Sequence, residues 1–447
     1  MSHRPRVVVV GGGFAGCEAA YQAARRGAAV TLYEMKPVRM SPAHRSADLA
    51  EVVCSNSLGS DNPESAPGLL KRELRALDSV IIAAADRHRV PAGQALAVDR
   101  EAFAAEVTRR IEATPGITVV REEVTEVPLE PGSYTIVATG PMTSDALAAS
   151  LARIVGGESL YFYDAIAPIV TAESIDRSIA FRASRYDDGP GDYLNCPLDE
   201  AQYHAFVREL LAGETVPSKP FEEEKVFEGC MPIEVMAARG PMTLAYGPMK
   251  PVGLIDPRTG RRPFAVVQLR QEDAAASLYN MVGFQTKLRY PEQKRIFRMI
   301  PGLEHAEFVR LGSLHRNVFL NAPRLIDTAL RVKSAPSLLL AGQMIGVEGY
   351  VESCAMGALA GIHAARLARG LAPLPPPRET ALGSLVHYLV ASDPKHFQPM
   401  NVNFGLLPEP PPELKVRKEQ RRAYQLRRAA EALSGWLAEV SPAAQPA

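Results

Sequence analysis

The sequence has few cysteines and no motif that would pair them. Five are spread over 447 residues, and no two stand in a CxxC or CxxxxC arrangement. An odd, scattered set favours reduced thiols over a disulfide framework or a cysteine metal clip. We therefore expect a cytoplasmic protein without a metal site, in which most cysteines are small buried residues.

Net charge and long apolar runs are also absent. The 50 Lys and Arg residues balance 50 Asp and Glu residues, and the sequence pI is about 7.1. Any contact with nucleic acid must therefore come from a local basic patch. Apolar runs such as VIIAAA and LLLAG are too short to cross a bilayer, so we expect no membrane partner. The basic, apolar start resembles a signal peptide, but its glycine cluster and polar helix argue against export.

The first 34 residues carry the pattern of a strand, a glycine turn, a helix and a second strand. RVVVV and AVTLYE predict the strands, and CEAAYQAARR predicts the helix between them. Gly11, Gly13 and Gly16 form G-x-G-x-x-G at the helix start, and Glu34 ends the second strand. Such glycines let the backbone approach a pyrophosphate, and the acid can bind ribose hydroxyls. The unit predicts a dinucleotide site.

A second glycine-rich element at residues 342–361 favours FAD as the dinucleotide. It would return to the flavin end of the same domain, and no second G-x-G-x-x-G follows a strand. A nicotinamide cofactor, NADPH or NADH, would therefore visit the flavin only transiently. The predicted FAD contacts are Gly11, Gly13, Phe14, Ala15, Gly16, Glu34, Val124, Gly140, Gly342, Gln343, Gly349, Tyr350, Glu352 and Ser353.

The order of these patterns predicts an α/β fold. We expect a Rossmann-like FAD-binding domain of the glutathione-reductase type, interrupted by an inserted α+β domain. Residues 1–164 and 318–370 would form the FAD-binding domain, and residues 165–317 the inserted substrate- and RNA-binding domain. Residues 371–447 would form a basic helical extension packed on the FAD domain.

Several longer motifs carry a family resemblance. They are VCSNSLG (53–59), PAGQALAVDRE (91–101), FEGCMPIE (227–234), YGPMKPVGL (246–254), GSLHRNVFLNAP (312–323), AGQMIGVEGYVES (341–353) and FQPMNVNFGLLP (397–408). Together they resemble the bacterial folate- and FAD-dependent tRNA (uracil-5-)-methyltransferases. Those enzymes share their flavin domain with the longer wobble-uridine carboxymethylaminomethyl enzymes.

The resemblance implies C5-methylation of a uridine in RNA, most simply the T-loop uridine of tRNA. Its carbon source would be methylenetetrahydrofolate, and reduced flavin would carry the methylene and supply electrons. Cys230 would add to the uracil 6-carbon, and Cys54 would remove the proton from the 5-carbon. The alternative for Cys230 is a buried structural thiol, and for Cys54 a polar turn.

Two further sets of residues are candidates for substrate contact. For the folate they are His315, Arg316 and Asn317, with His315 stacking on the pterin. On a C-terminal helix, Arg417, Arg421, Tyr424 and Arg428 would share a stripe that could track phosphates. The RNA candidates are Arg289, Lys294, Arg295, Arg417, Arg421, Arg422 and Arg428. The alternatives are a core histidine and solvated basic faces.

Other functions stay open at the level of sequence. The same chemistry could act on ribosomal RNA, because target choice depends on surface shape. A flavin oxidoreductase on a small molecule is disfavoured by the basic tail and the isolated thiol. A flavin- or RNA-binding homologue without methyltransferase activity is a third alternative, and the sequence leaves the oligomeric state open.

Overall fold

A computed structural model of the chain describes residues 5–41, 43–156, 160–185, 191–216 and 231–441. In residues 160–166 and 313–318 only the backbone is described. The strands, in chain order, are β1 Arg6–Val10, β2 Ala29–Glu34, β3 Ser57–Ser60, β4 Arg89–Val90, β5 Ala95–Val98, β6 Ile117–Arg121, β7 Ser133–Val137, β8 Leu160–Ile166, β9 Ile169–Thr171, β10 Phe181–Ala183, β11 Tyr193–Leu198, β12 Ala265–Gln271, β13 Leu278–Met281, β14 Phe308–Arg310, β15 Ser313–Phe319, β16 Arg331–Val332 and β17 Ala335–Leu340. The α-helices are α1 Phe14–Arg25, α2 Ala66–Ala76, α3 Val80–Arg87, α4 Arg100–Ala113, α5 Asp145–Val155, α6 Glu200–Ala212, α7 Ile233–Ala238, α8 Thr243–Tyr246, α9 Tyr290–Phe297, α10 Ala322–Leu325, α11 Tyr350–Ala368, α12 Ala381–Ala391 and α13 Arg421–Val440.

The first sheet has six strands in the order β16-β17-β7-β1-β2-β6. Every pair is parallel except β16 with β17 at one edge. The four valines of β1 are buried, as a strand covered on both faces requires. Because β17 pairs with β7, two segments far apart in sequence share one sheet. The predicted Rossmann-like α/β class is confirmed.

The second sheet contains six strands in the order β10-β11-β12-β13-β9-β14, and its paired strands are antiparallel. It has a hydrophobic core of its own, which includes Tyr203, Phe206, Phe284 and Phe297. Strand β8 precedes the strands of this sheet in the chain, and β15 follows them. The two pair with each other, antiparallel, as a separate two-stranded ribbon. The proposed limits of the inserted domain fall within this ribbon and remain a prediction.

Helix α13 closes the described part of the chain against the first core. Leu433, Trp436 and Val440 belong to that core, and the Arg26 Nε donates to the Val440 carbonyl at 2.9 Å. The helix begins at Arg421, whereas Arg417 precedes a separate 3₁₀ turn. The expected helical stripe therefore does not include Arg417. Among the described helices, none combines the length and apolarity needed to span a membrane.

Candidate dinucleotide and active site

A deep pocket lies where β1, β2 and β7 end and α1 and α11 begin. It encloses about 1030 Å³, including its open mouth. The predicted FAD contacts that line it are Gly11, Gly13, Phe14, Ala15, Glu34, Val124, Gly140, Gly342, Gln343, Tyr350 and Ser353. The other predicted contacts, Gly16, Gly349 and Glu352, are not among the lining residues.

The glycines of the G-x-G-x-x-G turn leave room for a ligand and for close packing. Gly11 has a φ of +105°, and an added Cβ would lie 2.7 Å from the Ala138 carbonyl oxygen. At Gly16 an added Cβ would lie 1.7 Å from the Gly11 carbonyl oxygen. At Gly13, by contrast, no described atom lies within 4 Å, so a side chain there would enter the pocket. A backbone that approaches a pyrophosphate needs this arrangement.

Glu34 faces this turn from the end of β2. Its Oε2 accepts from the Gly12 N–H at 2.7 Å, and its Oε1 accepts from the Lys36 N–H at 2.9 Å. The side chain is buried, and it lines the pocket. Because a carboxylate has about four acceptor positions, it can still accept from ribose hydroxyls.

Two helices begin at the pocket without a side-chain cap. These are α1, whose N-cap is Gly13, and α11, whose N-cap is Gly349. Their first-turn residues Phe14 and Tyr350 line the cavity. Uncapped N–H groups and the helix dipole favour an anion at such a position. The glycine turn, Glu34 and these helix ends together fit a dinucleotide such as FAD.

The segment after β2 supplies pocket residues that sequence reasoning missed. Lys36 Nζ donates to the Asp48 carbonyl at 2.6 Å and pairs with Glu51 at 3.2 Å. His44 lines the pocket, and burial and then Lys36 lower its pKa. These residues lie in irregular chain, where no periodicity indicates which side chains turn inward.

Cys54 lies beside the pocket wall. Its backbone N–H donates to the Tyr350 hydroxyl at 2.8 Å, and Tyr350 stacks on Phe14 with ring centroids 4.5 Å apart. Arg100 donates to the carbonyls of Val52 and Cys54, both at 2.5 Å. The loop that bears this thiol is therefore held against the wall of the dinucleotide pocket.

The second sheet holds the same loop from the other side. Asn56 is fully buried, and its amide donates to the carbonyls of Val98 and Gln271, both at 3.0 Å. Arg270 on β12 donates to Asn56 Oδ1 at 2.8 Å and to Ser55 Oγ at 2.6 Å. The polar residues after Cys54 therefore connect the three-stranded sheet of β3, β5 and β4 to β12 of the second sheet, as well as forming a turn.

Other proposed substrate residues are only partly visible. Cys230 lies outside the described residues. His315, Arg316 and Asn317 lie on β15, where they pair with β8, but their side chains lie outside the described part of the structure.

The predicted RNA contacts differ in how their charge is balanced. Arg295 pairs with Glu209 at 2.5 Å and Glu292 at 2.7 Å, and Arg428 pairs with Glu379 at 2.8 Å. Weaker contacts join Arg289 to Glu214 and Arg421 to Glu409, both at 3.4 Å. Lys294 and Arg417 are exposed, and the Arg422 guanidinium lies 5.1 Å from the Phe404 ring centroid. The exposed cations are the better candidates for phosphate contact.

The remaining described cysteines are buried. Burial raises the pKa of the Cys17 and Cys354 thiols well above its usual range and that of Cys196 to about 12. Buried neutral thiols are poor nucleophiles. Among the described residues no three His, Cys, Asp or Glu side chains gather in a way that could hold a metal ion.

Comparison with known proteins identifies the family. The family model described as Glucose inhibited division protein A matches residues 6–372. The chain is 60% identical over 435 residues to a Geobacter sulfurreducens protein named Methylenetetrahydrofolate--tRNA-(uracil-5-)-methyltransferase TrmFO, covering 97% of this chain and 99% of that protein. A Pelotomaculum thermopropionicum protein of the same name is 60% identical over 416 residues, covering 93% and 94%.

A solved structure agrees in fold. Aquifex aeolicus GidA, in its form I crystal, has a TM-score of 0.70 at 19% identity, covering 96% of this chain and 76% of that one. Sequence and fold thus point to one group, and the resemblance seen in the motifs is confirmed. This chain belongs to the glucose inhibited division protein A family, among its methylenetetrahydrofolate--tRNA-(uracil-5-)-methyltransferase members.

Proposed function

We propose that this chain methylates carbon 5 of a uridine in tRNA, with methylenetetrahydrofolate as the carbon source and FAD as the cofactor. A relative that is 60% identical and covers 97% of the chain carries this activity in its name. The structural observation that carries the proposal is the hydrogen bond joining the Cys54 loop to Tyr350 at the dinucleotide pocket. We further propose a T-loop uridine as target, NADPH or NADH as reductant, and the cytoplasm as location.

The chemistry requires a thiolate, because carbon 5 of uracil is a poor nucleophile. When a thiolate adds to carbon 6, the sulfur–carbon bond forms and the π electrons move toward the oxygen on carbon 4. We assign this role to Cys230. After carbon 5 has been substituted, its proton must leave and the sulfur–carbon bond must break. We assign the proton removal to Cys54, which Arg100 and Tyr350 hold in place through its main chain.

The chain's own residues would hold and orient the cofactor. The glycine turn would accept the pyrophosphate on α1, and Glu34 would accept from the adenosine ribose. Bound FAD, after reduction by NADPH or NADH, would supply electrons and carry the one-carbon unit between folate and uracil. Tyr350 touches both the pocket and the Cys54 loop, so it would keep the thiol at the flavin end.

Folate and RNA would approach from different elements. Strand β15, which carries His315, Arg316 and Asn317, lies against the pocket-lining turn of residues 140–142 and against residues 343–345. This placement supports a pterin site beside the flavin. For RNA we propose the exposed Arg421 and Arg422 at the start of α13, whose positive end also favours a phosphate.

The deciding experiment follows a labelled one-carbon unit. Holoenzyme would be incubated with an unmodified tRNA transcript, labelled methylenetetrahydrofolate and NADPH. We expect labelled 5-methyluridine with wild type, and at least a hundredfold slower formation, as an order of magnitude, with Cys54→Ala or Cys230→Ala. Cys196→Ala, in the core of the second sheet, is the matched control and should retain activity. Label transfer from S-adenosylmethionine instead of folate would reject the proposal.

A further inference from the structure

A histidine at the dinucleotide pocket has one ring nitrogen that is engaged and one that is not. His44 lies in the irregular segment after β2, is half-buried and lines the pocket. Its Nδ1 lies 2.6 Å from the Ser41 hydroxyl oxygen. Its Nε2 makes no hydrogen bond to any residue that the structure describes. The imidazole therefore has one nitrogen left for a ligand of the pocket.

Ser41 decides which of the two nitrogens carries the proton. Its Oγ accepts from the backbone N–H groups of Ala43 and His44, both at 3.3 Å. These two hydrogen bonds occupy the lone pairs of the hydroxyl, so the proton of the hydroxyl is left for His44 Nδ1. When Nδ1 accepts, the single proton of a neutral imidazole sits on Nε2. His44 therefore offers an N–H donor at Nε2.

The surroundings of His44 favour this neutral form. Its pKa is lowered, first by burial and then by the charge of Lys36. Arg310 acts in the same direction, while Glu51 and Glu34 act in the opposite one. The ring is therefore neutral at neutral pH and carries one proton.

Backbone and side-chain contacts tie the segment of His44 to the end of β2. The next residue, Arg45, donates its backbone N–H to Glu51 Oε1 at 2.8 Å, and Glu51 pairs with Lys36 at 3.2 Å. The Lys36 backbone N–H in turn donates to Glu34 Oε1 at 2.9 Å. His44, Glu51, Lys36 and Glu34 all line the pocket. His44 therefore borders the same end of the pocket as Glu34.

This end of the pocket suits a sugar better than a phosphate. Four carboxylates are among its lining residues, namely Glu34, Glu51, Glu122 and Glu123. Their charges disfavour a phosphate, and their oxygens can accept from hydroxyl groups. A ribose hydroxyl donates one hydrogen bond and also accepts, so it needs an N–H donor beside the carboxylate.

We propose that His44 binds the adenosine ribose of FAD by donating its Nε2–H to a hydroxyl that donates to Glu34. This inference rests on the proposed function, in which FAD is the cofactor. A hydroxyl held by one acceptor and one donor has both of its hydrogen-bonding roles filled. Ser41 is then a positioning residue, because it acts on the ribose only through the tautomer of His44.

The test measures how tightly the full-length protein holds its flavin. The probes are FAD and an FAD analogue whose adenosine ribose lacks both hydroxyls. Protein loaded with either flavin is diluted, and the rise in flavin fluorescence gives the dissociation constant. The variants are His44→Ala, His44→Gln, His44→Asn and Ser41→Ala. The control is His305→Ala, an exposed histidine in the turn that precedes β14.

We expect His44→Ala to weaken FAD binding about tenfold, as loss of one hydrogen bond from a partly buried site does. The deoxy analogue should bind to wild type more weakly than FAD, and His44→Ala should weaken its binding no further. His44→Gln should restore most of the FAD affinity, because the glutamine amide nitrogen reaches the position of Nε2. His44→Asn should not, because its amide nitrogen reaches only the position of Nδ1.

Ser41→Ala should cause a smaller loss of FAD affinity than His44→Ala, because the donor at Nε2 is then present in only part of the molecules. His305→Ala should bind both flavins as wild type does.

Other outcomes would overturn the inference. Equal losses for FAD and the deoxy analogue in His44→Ala would indicate a general disturbance of the pocket. Equal rescue by Asn and Gln would show that Nε2 is not the donor. If wild type binds FAD and methylates tRNA while His44→Ala holds FAD normally, only this inference fails. If wild type binds no FAD, the proposed function fails with it.

Discussion

A single buried carboxylate, that of Glu73, ties two helices of the first core together. Glu73 lies on α2, and its two oxygens accept from the N–H groups of Ala381 and Leu382 at 2.8 and 2.9 Å. These groups are at the start of α12, where a negative charge is favoured. The side chain is only 1% exposed, and burial raises its pKa to about 7. Glu73 therefore titrates in a range accessible to experiment.

Glu73→Gln should change how stability depends on pH. Because the pKa in the folded state lies above the unfolded value of 4.5, the folded protein holds this proton more tightly. The resulting stabilisation is fully present below about pH 4.5 and is lost as pH rises to about 7. The unfolding free energy of wild type minus that of the variant should fall by about 3 kcal/mol over this window. Urea unfolding at several pH values measures it.

The exposed Glu64→Gln is the control for this titration. The change with pH should be larger for Glu73→Gln than for this control. A difference that stays constant with pH for Glu73→Gln would show that the buried carboxylate does not titrate there.

At the scale of elements, α1 and α11 cross with their backbones in contact. An added Cβ at Gly357 would lie 2.1 Å from the Ala15 carbonyl oxygen, and one at Gly361 would lie 2.3 Å from the Ala19 carbonyl oxygen. Small residues are needed at this crossing because any side chain would push the helices apart. The crossing also brings the starts of both helices to the dinucleotide pocket.

Gly361→Ala should destabilise the protein. Its methyl group would meet backbone that cannot move without shifting α1, at a cost of about 1–3 kcal/mol. Gly435→Ala is the matched control, because it lies inside α13 with no described atom within 4 Å of the added Cβ. There we expect a gain of roughly 0.5–1 kcal/mol from helix propensity. The melting temperatures of the two variants measure the difference. If both variants shift the melting temperature equally, the close contact of α1 and α11 does not explain the need for glycine at residue 361.

The N-terminal turn of α13 should contribute to RNA affinity. Replacing Arg421 and Arg422 by Gln should weaken tRNA binding and lower the slope of log affinity against log salt by roughly one for each phosphate that is no longer neutralised. Binding titrations at several salt concentrations measure this slope. A double variant of Arg6 and Arg153, exposed arginines paired with Glu130 and Glu126, is the control. An unchanged slope in the α13 variant would show that Arg421 and Arg422 do not contact the phosphates of the RNA.

At the scale of the whole molecule, a buried polar junction links the second sheet to the three-stranded sheet of β3, β5 and β4. Asn56 reaches from the Cys54 loop to the backbone of β12, and Arg270 returns a hydrogen bond from β12 to Asn56. Arg270 is only 6% exposed and Asn56 is fully buried, so the hydrogen bond between them satisfies two groups that are shielded from water, the Arg270 Nε and the Asn56 Oδ1. The junction fixes the second sheet relative to the dinucleotide pocket.

Asn56→Ala should loosen this junction. The change would leave the Arg270 Nε and two backbone carbonyls without partners, at a cost of about 3 kcal/mol. We expect a lower melting temperature and faster alkylation of Cys54, resolved by mass spectrometry of the modified peptide. Asn403→Ala, in an exposed loop, should leave both unchanged. If Cys54 is alkylated in Asn56→Ala at the same rate as in wild type, the junction does not hold the loop.

The sequence by itself determined the first strand, the glycine turn, helix α1 and the acid at the end of β2. These depend on neighbouring residues, so spacing alone indicates them. It also indicated Gly342 and Tyr350, because a glycine-rich turn before a helix is a local signal. Both line the pocket in the structure.

Only the tertiary structure decided which distant segments meet. It paired β17 with β7 and brought Arg270 to Asn56. Such partnerships arise from packing between residues far apart in the chain, and no local period encodes them. The buried Asn56 in particular resembles a turn residue in sequence, because its role depends on a carbonyl that lies 215 positions away.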